Sequence, residues 1–392
     1  MPRLFYTYLV NQILVPFYAS LVILTSILFL VKLIPILDII LDYNISLNDF
    51  IRLYAYYTPQ LLLFTLPMAS MMGTILGAVH LANEREIMII KSSGISFYQM
   101  LPPVIIIAIC TSLLTGLFAI HLIPMGNSAR AELLFRLAKE RIEHSLKEKQ
   151  FSESLGDVVL YADQINQEKK TLRGVYISDM RDNQNPLLIL AQSGKLASDI
   201  KRGLFTLKLQ EGSLHRDRDD ASLSIRFDEY SLNLPVSEPE KNPLAKTGRS
   251  TMTQLQLLNR AETLGRDTKI GAQYLIEYHK RMVLPVGCFI LTLLGFPLGL
   301  ITGPHRKPIG IPFGLMVFIS YYILLTAGDA IAKTHLAPTA LAMWIPNLFF
   351  IVVALFFLQS TARESLSVHL EKIFELLYRV SSKFNWFNKK DA

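Results

Sequence analysis

The sequence predicts an α-helical membrane protein with six transmembrane helices, three on either side of an inserted all-β domain. Three observations predict it. Of 392 residues, 51% are hydrophobic and 18% charged, against roughly 25% charged in ordinary soluble domains. Six segments stay apolar for about 20 residues, the length that crosses a hydrocarbon core of ~30 Å at ~1.5 Å per residue. Between the third and fourth of these, the pattern changes to short alternating runs bounded by turn residues. Disorder and collagen-like repetition are thereby excluded. Cys110 and Cys288 both lie in apolar runs and read as small hydrophobes, so redox chemistry is not expected.

The six spans are expected at residues 13–33, 60–81, 101–123, 282–301, 309–332 and 338–359. The first is too long and too weakly charged at its start for a cleavable signal, and is read as a retained span. Orientation follows the Lys and Arg content of the short loops. Arg3, Arg85, Lys91, Arg306, Lys307 and six basic residues after the last span fall on one side, against Arg52 and Lys333 on the other. Both termini are therefore expected in the cytoplasm, with the long segment between spans three and four outside. A net charge of +7 is compatible with nucleic acid as a partner, but basic residues beside apolar runs mark cytoplasmic membrane flanks, and no nucleic-acid role is assigned. Lys280 and Arg281 sit at the outer end of span four, against the charge rule.

Residues 128–149 are charged and helix-prone, with Leu133, Leu134, Leu137 and Ile142 as a loose apolar stripe, and are expected to continue span three as a stalk. Strands are expected at 158–161, 175–178, 187–191, 204–210, 223–227 and 230–234. Phe205, Leu207 and Leu209 alternate with Thr206, Lys208 and Gln210, so one face is greasy and the other wet. Closely spaced strands without intervening helices imply an antiparallel sandwich, jelly roll or barrel. A linker with Pro239, Pro243 and Gly248 follows. Thr251 with Gln254 forms a candidate capping box for a second stalk leading into span four.

No phosphate-binding loop, nucleophile elbow, paired-histidine zinc motif or Cys/His cluster of metal spacing occurs, so the chain is expected to catalyse nothing and to bind no metal or cofactor itself. His121 and Asp329 are isolated polar residues near the outer membrane ends; an ionisable group there is a functional candidate by default, but interfacial solvation is the favoured reading of each. The loop 83–100 is more informative. Asn83 can cap a helix over 84–93 and Gly94 suits its left-handed end. Its centre reads Ile87-Met88-Ile89-Ile90. A helix so short and apolar lies on lipid as an elbow between spans or docks into another protein. Glu84, Arg85 and Glu86 place both charge signs at its tip, which favours docking, since a lipid-seeking helix is usually basic.

Gly-x-x-x-Gly occurs at Gly73/Gly77, Gly295/Gly299 and Gly310/Gly314, permitting close helix contact. Lys32 shares the outer boundary with Lys280 and Arg281. Cations at that depth can hold an anionic lipid headgroup or simply snorkel to the interface. After span six, Leu366, Leu370, Ile373, Phe374, Leu377 and Val380 mark an amphipathic tail. The expected organisation is 1–124 for spans one to three, 125–280 for the β domain and stalks, 281–360 for spans four to six, and 361–392 for the tail.

These residues resemble the LptF/LptG permeases of the bacterial lipopolysaccharide exporter. The resemblance covers nearly the whole chain. It rests on Thr65-Leu66-Pro67-Met68, on Asn83-Glu84-Arg85-Glu86-Ile87 running to Ser93-Gly94-Ile95-Ser96, and on Leu294-Gly295-Phe296-Pro297-Leu298-Gly299. The large domain between spans three and four is discriminating, and Val31-Lys32-Leu33-Ile34-Pro35-Ile36-Leu37 looks more like the LptF branch than the LptG branch. The resemblance implies a β-jellyroll in the periplasm and a multi-pass inner-membrane protein. It implies pairing with an LptG-type permease, a dimer of LptB-type ATPase that carries the ATP and Mg, an LptC-type periplasmic acceptor, and lipopolysaccharide as substrate. By position, Glu84, Arg85, Glu86 and Ile87 fall in the coupling helix that meets the ATPase, spans one and five would flank a lateral gate, and Lys32 falls near the substrate phosphates. Depth and charge add Lys280 and Arg281. A permease for another lipid or lipoprotein shares this logic, while a membrane-anchored envelope adaptor would use the spans only as anchors.

Overall fold

A computed structural model describes residues 3–43, 46–145, 148–151, 158–166, 171–180, 187–199, 204–218, 221–235, 247–300 and 310–363. The loop with Arg306 and Lys307, the proline-rich linker at 236–246 and the expected amphipathic tail beyond Arg363 lie outside the described residues. Among the described residues six helices are long and apolar enough to cross a membrane. They are α1 (Arg3–Tyr43), α2 (Leu47–Asn83), α4 (Phe97–Leu117) with its continuation, α8 (Lys269–Leu300), α9 (Gly310–Lys333) and α10 (Thr339–Ala362), with a short α3 (Glu86–Ser92) between α2 and α4. The span after α3 continues through one π-helical turn (Phe118–Leu122) into α5 (Ile123–Ser145), the expected stalk. Several helices outrun the apolar segments because hydropathy marks only their membrane-embedded part, whereas the backbone stays helical wherever no breaker intervenes.

The chain divides into two compact units, residues 1–32, 58–124 and 252–392 in one and 33–57 and 125–251 in the other. In the first, helices meet where glycine removes the side chain. A Cβ at Gly73 would lie 2.7 Å from Phe17 Cα, and one at Gly77 would lie 2.8 Å from the Gln12 carbonyl, so α1 rides on α2. A Cβ at Gly295 or Gly299 would lie 2.8 Å from Met71 O or 2.5 Å from Ile75 O, so α8 rides on the same helix. Gly314 of α9 meets the Ile75 side chain. Between lipid-like surfaces such close approach supplies the dispersion that water cannot drive. Polar side chains add direction. Ser70 of α2 lies 3.1 Å from Thr111 of α4 and 2.7 Å from Thr292 of α8, hydroxyl to hydroxyl. Tyr321 of α9 donates to Asn347 of α10 at 2.9 Å, and the Asn347 amide donates to the Val283 carbonyl of α8 at 3.0 Å. After a single turn, α6 (Thr247–Ser250), the second stalk begins with α7 (Gln254–Leu264), capped by Thr253 with Gln256 and not by Thr251 with Gln254. Both pairs fit the motif, and the later one brings Leu257 and Ala261 together on the buried side.

In the second unit, α2 and α5 meet through Leu53, Leu133, Leu134 and Leu137, with Arg136 paired to Asp49 at 2.9 Å. Among the described residues five strands, β1 (Val158–Asn166), β2 (Thr171–Asp179), β3 (Leu187–Asp199), β4 (Leu204–Arg218) and β5 (Ala221–Pro235), form one antiparallel sheet in sequence order. Its core face carries Leu160, Val175, Ile177, Ile189, Leu207, Leu209 and Leu232, covered by Phe135 of α5. The expected all-β insertion is thus present, but the last two predicted strands are one, because Asp228 and Glu229 are not a turn.

Those two residues belong to a feature that crosses the sheet. Core-facing residues normally alternate, yet at one level every strand takes three steps: Ala162 to Ile165, Leu172 to Val175, Ala191 to Gly194, Leu209 to Gly212, Phe227 to Tyr230. The two rows between are polar: Asp163-Gln164, Arg173-Gly174, Gln192-Ser193, Gln210-Glu211 and Asp228-Glu229. A lone slip of this kind would turn the rest of a strand inside out. Here each strand slips at the same level, so register is kept and the sheet creases, with left-handed backbone at Gly174 (φ 59°) and Glu211 (φ 51°).

Candidate functional site

The informative site is the short helix between α2 and α4. α2 does not stop at a cap on Asn83. It stays helical to that residue and turns sharply, Arg85 N donating to Ala82 O at 3.3 Å and Arg85 itself adopting φ 59°. α3 therefore starts at Glu86, two residues later than the sequence predicts. The left-handed end falls where expected, at Gly94 with φ 82°. Ser92 and Ser93 each donate to Ile89 O at 2.9 Å, occupying a carbonyl of the final turn. The next helix opens with a capping box, Ser96 N donating to Gln99 Oε1 at 3.0 Å. With both ends thus fixed, α3 is held between two spans.

Its apolar residues divide. Ile87 and Ile90, with Ile95 beyond, pack on a cluster of Leu9 and Ile13 from α1, Ala78 and Leu81 from α2, Phe97 to Ile107 from α4, Phe296 from α8 and Leu358 from α10. Met88 and Ile89 point away and are each 63% exposed. Glu84 and Arg85 are exposed beside them. Glu86 instead turns inward: Tyr8 of α1 donates its hydroxyl to both Glu86 carboxylate oxygens at 2.7 Å, and Gln12 donates its amide to the Tyr8 oxygen at 3.1 Å. Sequence reasoning missed Tyr8 and Gln12. The available signal was a pair of polar side chains four apart, hence on one helix face, in an otherwise greasy stretch.

The other expected site residues differ in burial. Lys32 is exposed on α1, and Lys280 is half-buried on α8. Arg281 is only 3% exposed. Its guanidinium donates to Glu277 at 3.1 Å and to the Met252 carbonyl at 2.7 Å, as a buried cation must. Asp329 pairs with Lys333 one turn on, and His121 is exposed in the π-helical turn. Among the described residues no group of acidic, His or Cys side chains is arranged to hold a metal.

Residues 7–360 match the family model for the lipopolysaccharide export system permease LptF/LptG. The chain belongs to the LptF/LptG family. The protein named lipopolysaccharide export system permease protein LptF in Escherichia coli is 22% identical over 353 residues, 89% of this chain and 92% of that one, and its Shigella flexneri counterpart matches equally. An uncharacterised protein of Rickettsia prowazekii is 22% identical over 273 residues, 69% of this chain and 74% of its own. With six apolar helices, an LptF/LptG chain is a multi-pass inner-membrane protein and a permease subunit in place of an enzyme.

Proposed function

We propose that this chain is the LptF-type half of an ATP-driven exporter. It pairs with an LptG-type permease, receives motion from a dimer of LptB-type ATPase through α3, and lifts lipopolysaccharide from the inner membrane toward an LptC-type acceptor. Both termini and α3 lie on the cytoplasmic side and the β domain in the periplasm. The observation that carries the reading is the divided helix α3: Ile87 and Ile90 anchor it to the spans, while Met88 and Ile89 stand bare with Glu84 and Arg85 beside them. An apolar pair rimmed by both charge signs suits a protein partner better than anionic lipid.

Energetics require the partner. Withdrawing each acyl CH₂ from hydrocarbon costs about 0.8 kcal/mol, so a lipid with several chains stays in the bilayer unless work is done on it. ATP and Mg would act on the ATPase; the work of this chain is to move helices. At the outer boundary, Lys32 and Lys280 offer cations to substrate phosphates, and Arg281, bonded to Glu277 and Met252, ties the segment that precedes α7 to α8. The test is reconstitution in vesicles containing lipopolysaccharide. The chain purified without an ATPase is expected to hydrolyse no ATP, the assembled complex to release lipopolysaccharide with ATP, and Lys32→Glu to reduce substrate photo-crosslinking several-fold. ATP turnover by the lone chain, or crosslinking indifferent to Lys32→Glu, contradicts the reading.

A further inference from the structure

We propose that Tyr8 is a positioning residue that makes span one follow α3. The proposal deepens the reading of α3 as the helix driven by the ATPase and rests on it. α3 is joined to α2 and α4 by backbone, so displacement of α3 reaches those helices directly. α1 has no such link. It touches the α3 region by two kinds of contact, the apolar packing of Phe5, Leu9, Val10 and Ile13 in the cluster that holds Ile87 and Ile90, and the Tyr8–Glu86 hydrogen bonds with Gln12 behind them. Apolar packing is non-directional and lets one surface slide on another. A hydroxyl held by both oxygens of a carboxylate fixes distance and direction, and charge assistance makes it about twice as strong as a neutral bond.

Two further features fit this task. Arg85, immediately before Glu86, holds a left-handed φ of 59° that a non-glycine residue adopts at a cost, so contacts beyond the turn must keep α3 in its orientation. Farther along α1, Val22, Ile23, Ile27, Leu30, Val31 and Ile34 form an exposed apolar face, while Leu21, Leu24 and Thr25 on the opposite side lie against Leu62, Thr65 and Leu66 of α2. A latch at the Tyr8 end would convert movement of α3 into movement of that face.

The test is a double-mutant cycle in the reconstituted complex, reading lipopolysaccharide released per ATP hydrolysed, with a spin-label distance between positions 4 and 92 as a structural readout. Tyr8→Phe keeps the ring and removes only the donor. It is expected to lower the release ratio about tenfold, the scale of one hydrogen bond to a charged group, and to broaden the distance distribution. Glu86→Ala is expected to do the same, and adding Tyr8→Phe to it to do nothing more. An unchanged ratio and an unchanged distance in Tyr8→Phe, or losses that multiply in the double variant, would overturn the latch while leaving the ATPase reading intact. Failure of the wild-type complex to retain any ATPase would overturn both.

Discussion

At Gly299 a single Cβ decides whether two helices can touch. Added there, it would lie 2.5 Å from the Ile75 carbonyl and 2.6 Å from Ala78 Cβ, both on α2, where nothing flexible can yield. The hydroxyl cluster nearby carries less. Thr111 and Thr292 already donate to Ile107 O and Cys288 O, so Ser70 has one proton to share between them. Gly299→Val is therefore predicted to destabilise the detergent-solubilised protein by about 1–3 kcal/mol, and Ser70→Ala by about 0.6 kcal/mol, the average for such bonds in membranes. Chemical unfolding followed by tryptophan fluorescence measures both; the reverse order of effects would refute the ranking. The glycines were legible in the sequence because their spacing is itself the motif. Ser70 and Thr292 lie 222 positions apart, and hydroxyls are too common in spans for either to stand out. Tyr8 was hidden for a similar reason, since its partner Glu86 is 78 positions away.

Among the elements, the six spans were legible because hydrophobic length is a property of each segment alone. Helix ends were not. Asn83 has the residue type of an N-cap, but a cap also requires an extended backbone, and here the break comes at Arg85, a residue with no turn preference. The β domain shows the same limit at larger size. Polar doublets read singly are turns; only pairing shows that five of them align into one crease. Gly174 anchors that line, with φ 59° and Asp163 Oδ2 2.5 Å from where a Cβ would be. Gly174→Ala is predicted to raise amide hydrogen exchange about tenfold in β1 and β2 of the intact protein, through local opening made easier by about 1–2 kcal/mol, the cost of left-handed backbone with a side chain. Exchange in those strands equal to wild type would mean the crease needs no glycine there.

For the molecule as a whole, the inference from sequence to family succeeds because topology and short motifs agree: three spans, an inserted all-β domain, three spans, and the loop motif between the second and third. What the sequence could not give is the division of labour inside that loop, with Ile87 and Ile90 turned to the spans and Met88 and Ile89 turned away. The account depends on the outward pair being where an ATPase grips. Replacing both by Asp leaves the anchoring residues untouched and makes the exposed pair costly to desolvate in any interface. Affinity purification of the Met88→Asp, Ile89→Asp variant from native membranes, beside wild type, tests this most directly. The prediction is that wild type brings an ATPase subunit with it and the variant, with the same yield and melting temperature, does not. An ATPase recovered equally with both would show that α3 is not its handle.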